Sequence, residues 1–94
     1  LPYGVLDAMA AGVAVVASDI PAHRELLADG RGVLVPLGRP EAAAQAILRL
    51  LADPLSRRAI GAKARAYVAR DHTPSAMAAR LLHLYEEAGR FRYA

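Results

Sequence analysis

Pro2-Tyr3-Gly4 leads directly into a run of good helix formers, Leu6, Ala8, Met9, Ala10 and Ala11. A helix start leaves about four backbone N–H groups without an intrahelical partner and carries a partial positive charge. A glycine there lets a ligand come close to the backbone, so the arrangement suits an anion, and phosphate above all. An ordinary turn before a helix would look the same. Asp7 lies one turn further in, and two readings of it stand side by side. It complements the helix dipole, worth about 0.3–1 kcal/mol, or its carboxylate accepts paired hydrogen bonds from ribose hydroxyls. The chain has neither a G-x-G-x-x-G run nor a P-loop, so it carries no standard dinucleotide or Walker site.

Ile20-Pro21-Ala22-His23-Arg24-Glu25 follows Ser18-Asp19. Arg24 offers a planar fork that fits phosphate oxygens; it would equally pair with a surface carboxylate. Glu25 is read as a structural acid close to such a site. His23 is expected to be solvated, in a loop or a first helical turn. His72 and His83 have no partners at metal-ligand spacing. These residues therefore indicate no metal site, and none of them is assigned a catalytic role.

Residues 4–11 are expected to form a helix that Gly12 ends with a left-handed residue. Val13 to Ala17 is a continuous β-branched and alanine run without polar alternation, which predicts a strand buried on both faces. Ser18-Asp19 ends it at the edge where open parallel sheets bind ligands. Pro21 opens a short helix to Leu27, closed by Asp29-Gly30. Gly32 to Val35 is a second apolar strand, stopped by Pro36. A helix starts at Pro40, with Glu41 in its first turn and Ala44, Ile47, Leu48 and Leu51 on one face expected to be buried. Asp53 is a plausible N-cap for the next helix, predicted to run to about Arg70 and to bury Leu55, Ala59, Ile60 and Tyr67. Thr73-Pro74 repeats the cap-then-proline device before a last helix with Met77, Leu81, Leu84, Tyr85 and Ala88 on its apolar face. Phe91 and Tyr93 follow in a tail.

Two short strands joined by a helical crossover imply a right-handed parallel α/β unit. Two strands alone would leave unpaired edges on both sides, so further strands are expected before Leu1. The fold class is α/β: a partial Rossmann-like parallel sheet unit over residues 1–38, then terminal helices over 39–94.

The chain has 94 residues and is 55% hydrophobic, which argues against disorder. Much of that fraction is alanine, so the core is smaller than the figure suggests. Cysteine is absent, which excludes a disulfide framework and a thiolate zinc site. No apolar run approaches the ~18 residues of a membrane span. The net charge is +3, but the basic residues are spread from Arg24 to Arg92 among acids and alanines. With four Tyr, one Phe and no Trp, the base-stacking platform of a nucleic-acid binder is missing.

The combined pattern resembles the C-terminal domain of GT-B-fold, group 1 (family 4-like) glycosyltransferases. Their signature has two acids separated by seven residues, then alanine-methionine-alanine, a small residue, glycine and a strand of the VPVVAS type. Leu1-Pro2 match its LP, Asp7 takes the second acidic position, Ala8 to Gly12 match AMAAG, and Val13 to Ser18 match the strand. Glu25, Asp29-Gly30, Gly32 and Leu34-Val35-Pro36 match the E-x-x-x-D-G-x-x-G-x-L-V-x-P tract, with one residue fewer between the glycines. Pro40-Glu41 and Ala43 resemble the helix start that follows. Specific motifs cover residues 1–52. Two departures stand out: Asp7 where the family prefers glutamate, and Ala14 where its strand carries proline.

The resemblance implies that Pro2, Tyr3, Gly4 and Asp7 bind the donor nucleotide sugar, with backbone amides near Tyr3 and Gly4 on the diphosphate and Asp7 on the ribose. It places the first acid two residues upstream of Leu1 and the catalytic groups in an N-terminal Rossmann domain outside this chain. The implied parent is a retaining hexosyltransferase that moves sugar from a nucleoside diphosphate to a hydroxyl acceptor on a glycan, lipid or small metabolite. It needs no metal or other cofactor, and is cytoplasmic with peripheral membrane association as an extension of that reading. The chain alone would be inactive. A nucleotide-sugar epimerase of the same fold and a non-catalytic nucleotide-binding module are the alternatives.

Overall fold

The computed structural model of the protein describes residues 3–71. Leu1, Pro2 and the expected last helix beyond Pro74 lie outside the described residues. The element order is α1 (Tyr3–Ala10), β1 (Val16–Ser18), α2 (Pro21–Leu27), β2 (Val33–Val35), α3 (Pro40–Ala52) and α4 (Pro54–Asp71). The strands pair in parallel, Val16 opposite Val33, Ala17 opposite Leu34 and Ser18 opposite Val35. The α/β class and the parallel crossover are as the sequence implies.

The ends of the elements follow from local chemistry. Gly12 has φ 75°. Its N–H donates to the Met9 carbonyl and that of Val13 to the Ala8 carbonyl, both at 3.0 Å. This paired wrap is a Schellman end, which needs a residue free to adopt positive φ. It also explains why β1 begins at Val16 and not at Val13. Val13 spends its N–H on closing α1, and sheet bonding begins only where the Val33 N–H reaches the Val15 carbonyl at 2.9 Å. Asp53 caps α4 as expected, its Oδ1 accepting from the Ser56 N–H at 3.1 Å. Arg57 satisfies the preceding helix end, donating from Nη1 to the carbonyls of Leu50 and Leu51 at 2.7 Å each.

Side chains on β1 alternate between two faces. Val15 and Ala17, with Leu34 of β2, meet the core of Leu6 and Met9 from α1, Leu26 and Leu27 from α2, and Ala64 and Val68 from α4. Ala14 and Val16 turn the other way, towards Ile47, Leu50 and Leu51 of α3. The unit is thus three-layered, with α1, α2 and α4 on one side of the sheet and α3 on the other. α3 and α4 thus close the sheet unit as well as following it.

Three expected burial patterns are corrected. Both strands are only partly buried except at Val35, because each has a single paired neighbour among the described residues. In α3 no residue is fully buried, and Ala44, Ile47, Leu48 and Leu51 are all exposed; Ala42, Ala43, Ala46 and Leu50 are the half-buried set. In α4 the buried residues are Gly61, Ala64 and Val68, not Leu55 or Ala59, while Ile60 and Tyr67 are half-buried. Small residues form this seam because α4 lies against the backbone of the α1 end. A Cβ built on Gly61 would sit 2.8 Å from the Gly12 carbonyl carbon and closer still to its oxygen.

Candidate functional site

A tight turn at Gly12 separates α1 from β1, so α1 runs back along the sheet. Its N-terminus therefore lies at the same edge as Ser18, the carboxyl end of β1. Crevices at that edge are where open α/β sheets take ligands. Tyr3 and Gly4 are the first two residues of α1 and both are exposed. A Cβ at Gly4 would meet nothing within 4 Å. No neighbouring atom of the described residues therefore demands glycine here, and among these residues the backbone is open.

Asp7 is exposed on α1, and its side chain has no hydrogen-bond or ion-pair partner among the described residues. Leu6 and Met9 are its buried neighbours, 1% and 0% exposed, and they hold the helix while the carboxylate stays free. Pro2 lies outside the described residues. Tyr3, Gly4 and Asp7 are thus brought together on the first turn and a half of one helix.

The loop after β1 is more ordered than its sequence suggests. The Asp19 N–H donates to the Val35 carbonyl at 2.7 Å, tying the two strand ends together. Arg24 Nε donates to Asp19 Oδ1 at 2.5 Å. That guanidinium is engaged by a carboxylate, with both side chains substantially exposed. Glu25 is exposed on α2. His23 is half-buried, not fully solvated, with Nδ1 2.8 Å from the Ser18 carbonyl. Bonding to that oxygen requires a proton on Nδ1, which leaves Nε2 as the acceptor in the neutral ring. Among the described residues, no three His, Asp or Glu side chains gather where they could hold a metal ion.

Arg31 has a role that spacing did not reveal. Its Nε donates to the Leu26 carbonyl and its Nη2 to the Glu25 carbonyl, both at 2.8 Å. The guanidinium also lies 3.9 Å from the centre of the Tyr67 ring. Arg31 so caps α2, whose chain leaves through Asp29 and Gly30 at positive φ, and clamps it to α4. Its contact with Asp29 adds little, since that carboxylate is 89% exposed. Arg31→Ala is expected to cost about 2–3 kcal/mol, from charged hydrogen bonds and the ring contact. Lysine should recover less than half, because an ammonium cannot address two carbonyls and a ring face together. Urea denaturation of the three proteins checks both statements.

The family model for group 1 glycosyl transferases matches residues 1–53, a range that takes in α1, β1, α2, β2 and the whole of α3. Curated relatives are similar over most of the chain. A phosphatidyl-myo-inositol mannosyltransferase of Mycolicibacterium smegmatis is 41% identical over 83 residues, covering 87% of this chain and 21% of the relative. Its counterpart from Mycobacterium leprae is 43% identical over 84 residues, 87% and 22%. That from Mycobacterium tuberculosis is 38% identical over 87 residues, 87% and 23%. The chain spans about a fifth of the length of these relatives.

Proposed function

The chain belongs to the group 1 glycosyl transferases, and from that premise we propose that it forms the nucleotide-holding part of the donor site in a hexosyltransferase. The reaction moves a sugar from a nucleoside diphosphate to a hydroxyl acceptor with retention of anomeric configuration. One observation carries the reading. The family match encloses a helix start whose glycine is open and whose carboxylate, Asp7, is exposed and without a side-chain partner among the described residues.

In this reading the free amides at Tyr3 and Gly4 meet the diphosphate. They stabilise the charge that builds on it as the glycosidic bond breaks, without reorganising. Helix amides and basic side chains make a metal unnecessary. Asp7 accepts hydrogen bonds from the ribose hydroxyls. It is one methylene shorter than glutamate, so its reach is completed by a water or by a small shift of α1. The catalytic groups and the first acid of the pair come from the remainder of a longer parent, and the chain alone is inactive. The relatives' names support mannosyl as the sugar and a phosphatidylinositol-type lipid as the acceptor. Such an enzyme works at the cytoplasmic face of a membrane.

The test is a donor screen on the complete parent protein with a phosphatidylinositol acceptor, read by release of nucleoside diphosphate. Release from one nucleoside-diphosphate hexose, dependent on the lipid, is the expected result; no release from any donor overturns the reading. Gly4→Val sharpens it. The site has room for the side chain, so the fold is expected to hold, while the donor KM rises about tenfold or more because the branched side chain keeps phosphate from the amides. An unchanged KM would take the diphosphate away from α1.

A further inference from the structure

A side chain fixes the turn between β1 and α2. The Ser18 carbonyl accepts twice, from the Ile20 N–H at 2.9 Å and from Nδ1 of the half-buried His23 ring at 2.8 Å. Nε2, across the ring from that bond, has no hydrogen-bond partner among the described residues. The bond keeps the ring at the carboxyl end of β1. α1 and α2 lie on the same side of the sheet and both start at this edge. His23, the third residue of α2, therefore shares the edge with the first turn of α1, where Tyr3 and Gly4 offer their amides. Among the other ionisable groups here, Asp19 and Arg24 hold one another, so the neighbouring guanidinium is already taken. α1 contributes Tyr3 and Asp7, α2 itself Glu25, and the chain after β2 Arg39. α4 meets the opposite end of α2, through Lys63 at Gly30 and Tyr67 at Arg31.

We infer that His23 is a proton-dependent contact for the donor diphosphate, gripping it through Nε2 when the ring is cationic. Histidine is the side chain whose charge ordinarily changes between about pH 5 and 8. Its bond to Ser18 survives the change, because Nδ1 carries a proton in both states. Only Nε2 is altered. In the neutral ring it presents a lone pair, which repels a phosphate oxygen. After taking a proton from solvent it donates a charge-assisted hydrogen bond to that oxygen, and no bond of the donor is made or broken. The α1 amides hold the diphosphate in both states, and His23 tightens the hold as pH falls. Bound donor in turn makes the ring keep its proton to higher pH, by the same factor. The inference deepens the donor reading and rests on it.

Calorimetric titration of the complete protein with its preferred nucleoside-diphosphate hexose tests it. That diphosphate is esterified at both ends and does not itself titrate in this range. His23→Asn keeps an amide N–H for the Ser18 carbonyl but takes up no proton, so the turn stays while the switch is lost. Its donor Kd should match that of wild type at about pH 8 and exceed it about tenfold at about pH 5.5. Other titrating groups act alike in both proteins, so the difference between the two pH slopes is the readout. Unchanged circular dichroism establishes that the variant is folded. The carbon-bound ring proton of His23, followed by NMR in wild type, needs no variant. Its titration should move up by about one pH unit when donor is bound. Equal pH slopes in the two proteins overturn the inference and leave the donor reading standing, as does a ring titration that donor does not move. A protein that binds no donor at either pH overturns the donor reading and this inference with it.

Discussion

Gly61→Ala is expected to destabilise the protein by about 3 kcal/mol, the upper end of what overpacking costs. In a helix interior alanine normally gains about 1 kcal/mol over glycine, so the sign alone is informative. The new methyl group would strike the Gly12 backbone and not the movable end of a side chain. Gly12 cannot retreat, because its positive φ and the two bonds that close α1 hold it in place. The helices must separate, and the packing of Ala64 and Val68 on Leu6 and Met9 loosens with them. Gly32→Ala is the contrasting case. There the nearest atoms belong to the Leu27 side chain, a core residue that must repack but carries no fixed backbone into the clash, so the cost should be smaller, about 1–2 kcal/mol. Thermal unfolding of both variants against wild type checks the ranking. A Gly61→Ala protein as stable as wild type would mean that α4 does not lie on the α1 turn.

This close approach marks a limit of reading the sequence. Gly12 was legible as a helix end because helix formers precede it and a β-branched run follows. Gly61 was not, since a glycine inside a helical pattern says nothing about what lies opposite. The α4 face was misassigned for the same reason. Leu55 and Ala59 fit an apolar face by periodicity, but α4 presents its smallest residues to a backbone and leaves Leu55 outside. Arg31 was hidden because its partners, two carbonyls and a ring 36 positions away, carry no sequence signature. The strand run showed the class of β1 but not its start, which depends on how the Val13 N–H is spent. The residues proposed for the donor site depend on signals of another kind. A helix start, a glycine and an acid one turn in are local features, and local features survive without knowledge of packing.

Asp7→Ala is expected to weaken donor binding by about 1.5–3 kcal/mol, the range for hydrogen bonds to a charged group, or roughly ten- to 150-fold in Kd. The substitution is clean for a structural reason. Asp7 is exposed, its side chain bonds to nothing among the described residues, and it sits in a helix that alanine favours. The variant should unfold no earlier than wild type, so lost affinity cannot be laid to a damaged fold. Asp7→Glu restores the charge on a longer arm and should bind donor at least as well as wild type. The alternative, Asp7 as a complement to the helix dipole, predicts a small loss of stability and no change in affinity.

The central claim is that Asp7 holds the ribose of a donor nucleotide at the start of α1. Calorimetric titration of the complete protein and its Asp7→Ala variant tests it most directly, using the preferred nucleoside diphosphate and its 2′,3′-dideoxy form. If the claim holds, removing the hydroxyls weakens binding to wild type by about tenfold or more, and barely affects the variant, whose partner for them is gone. An equal loss of affinity in both proteins would contradict it.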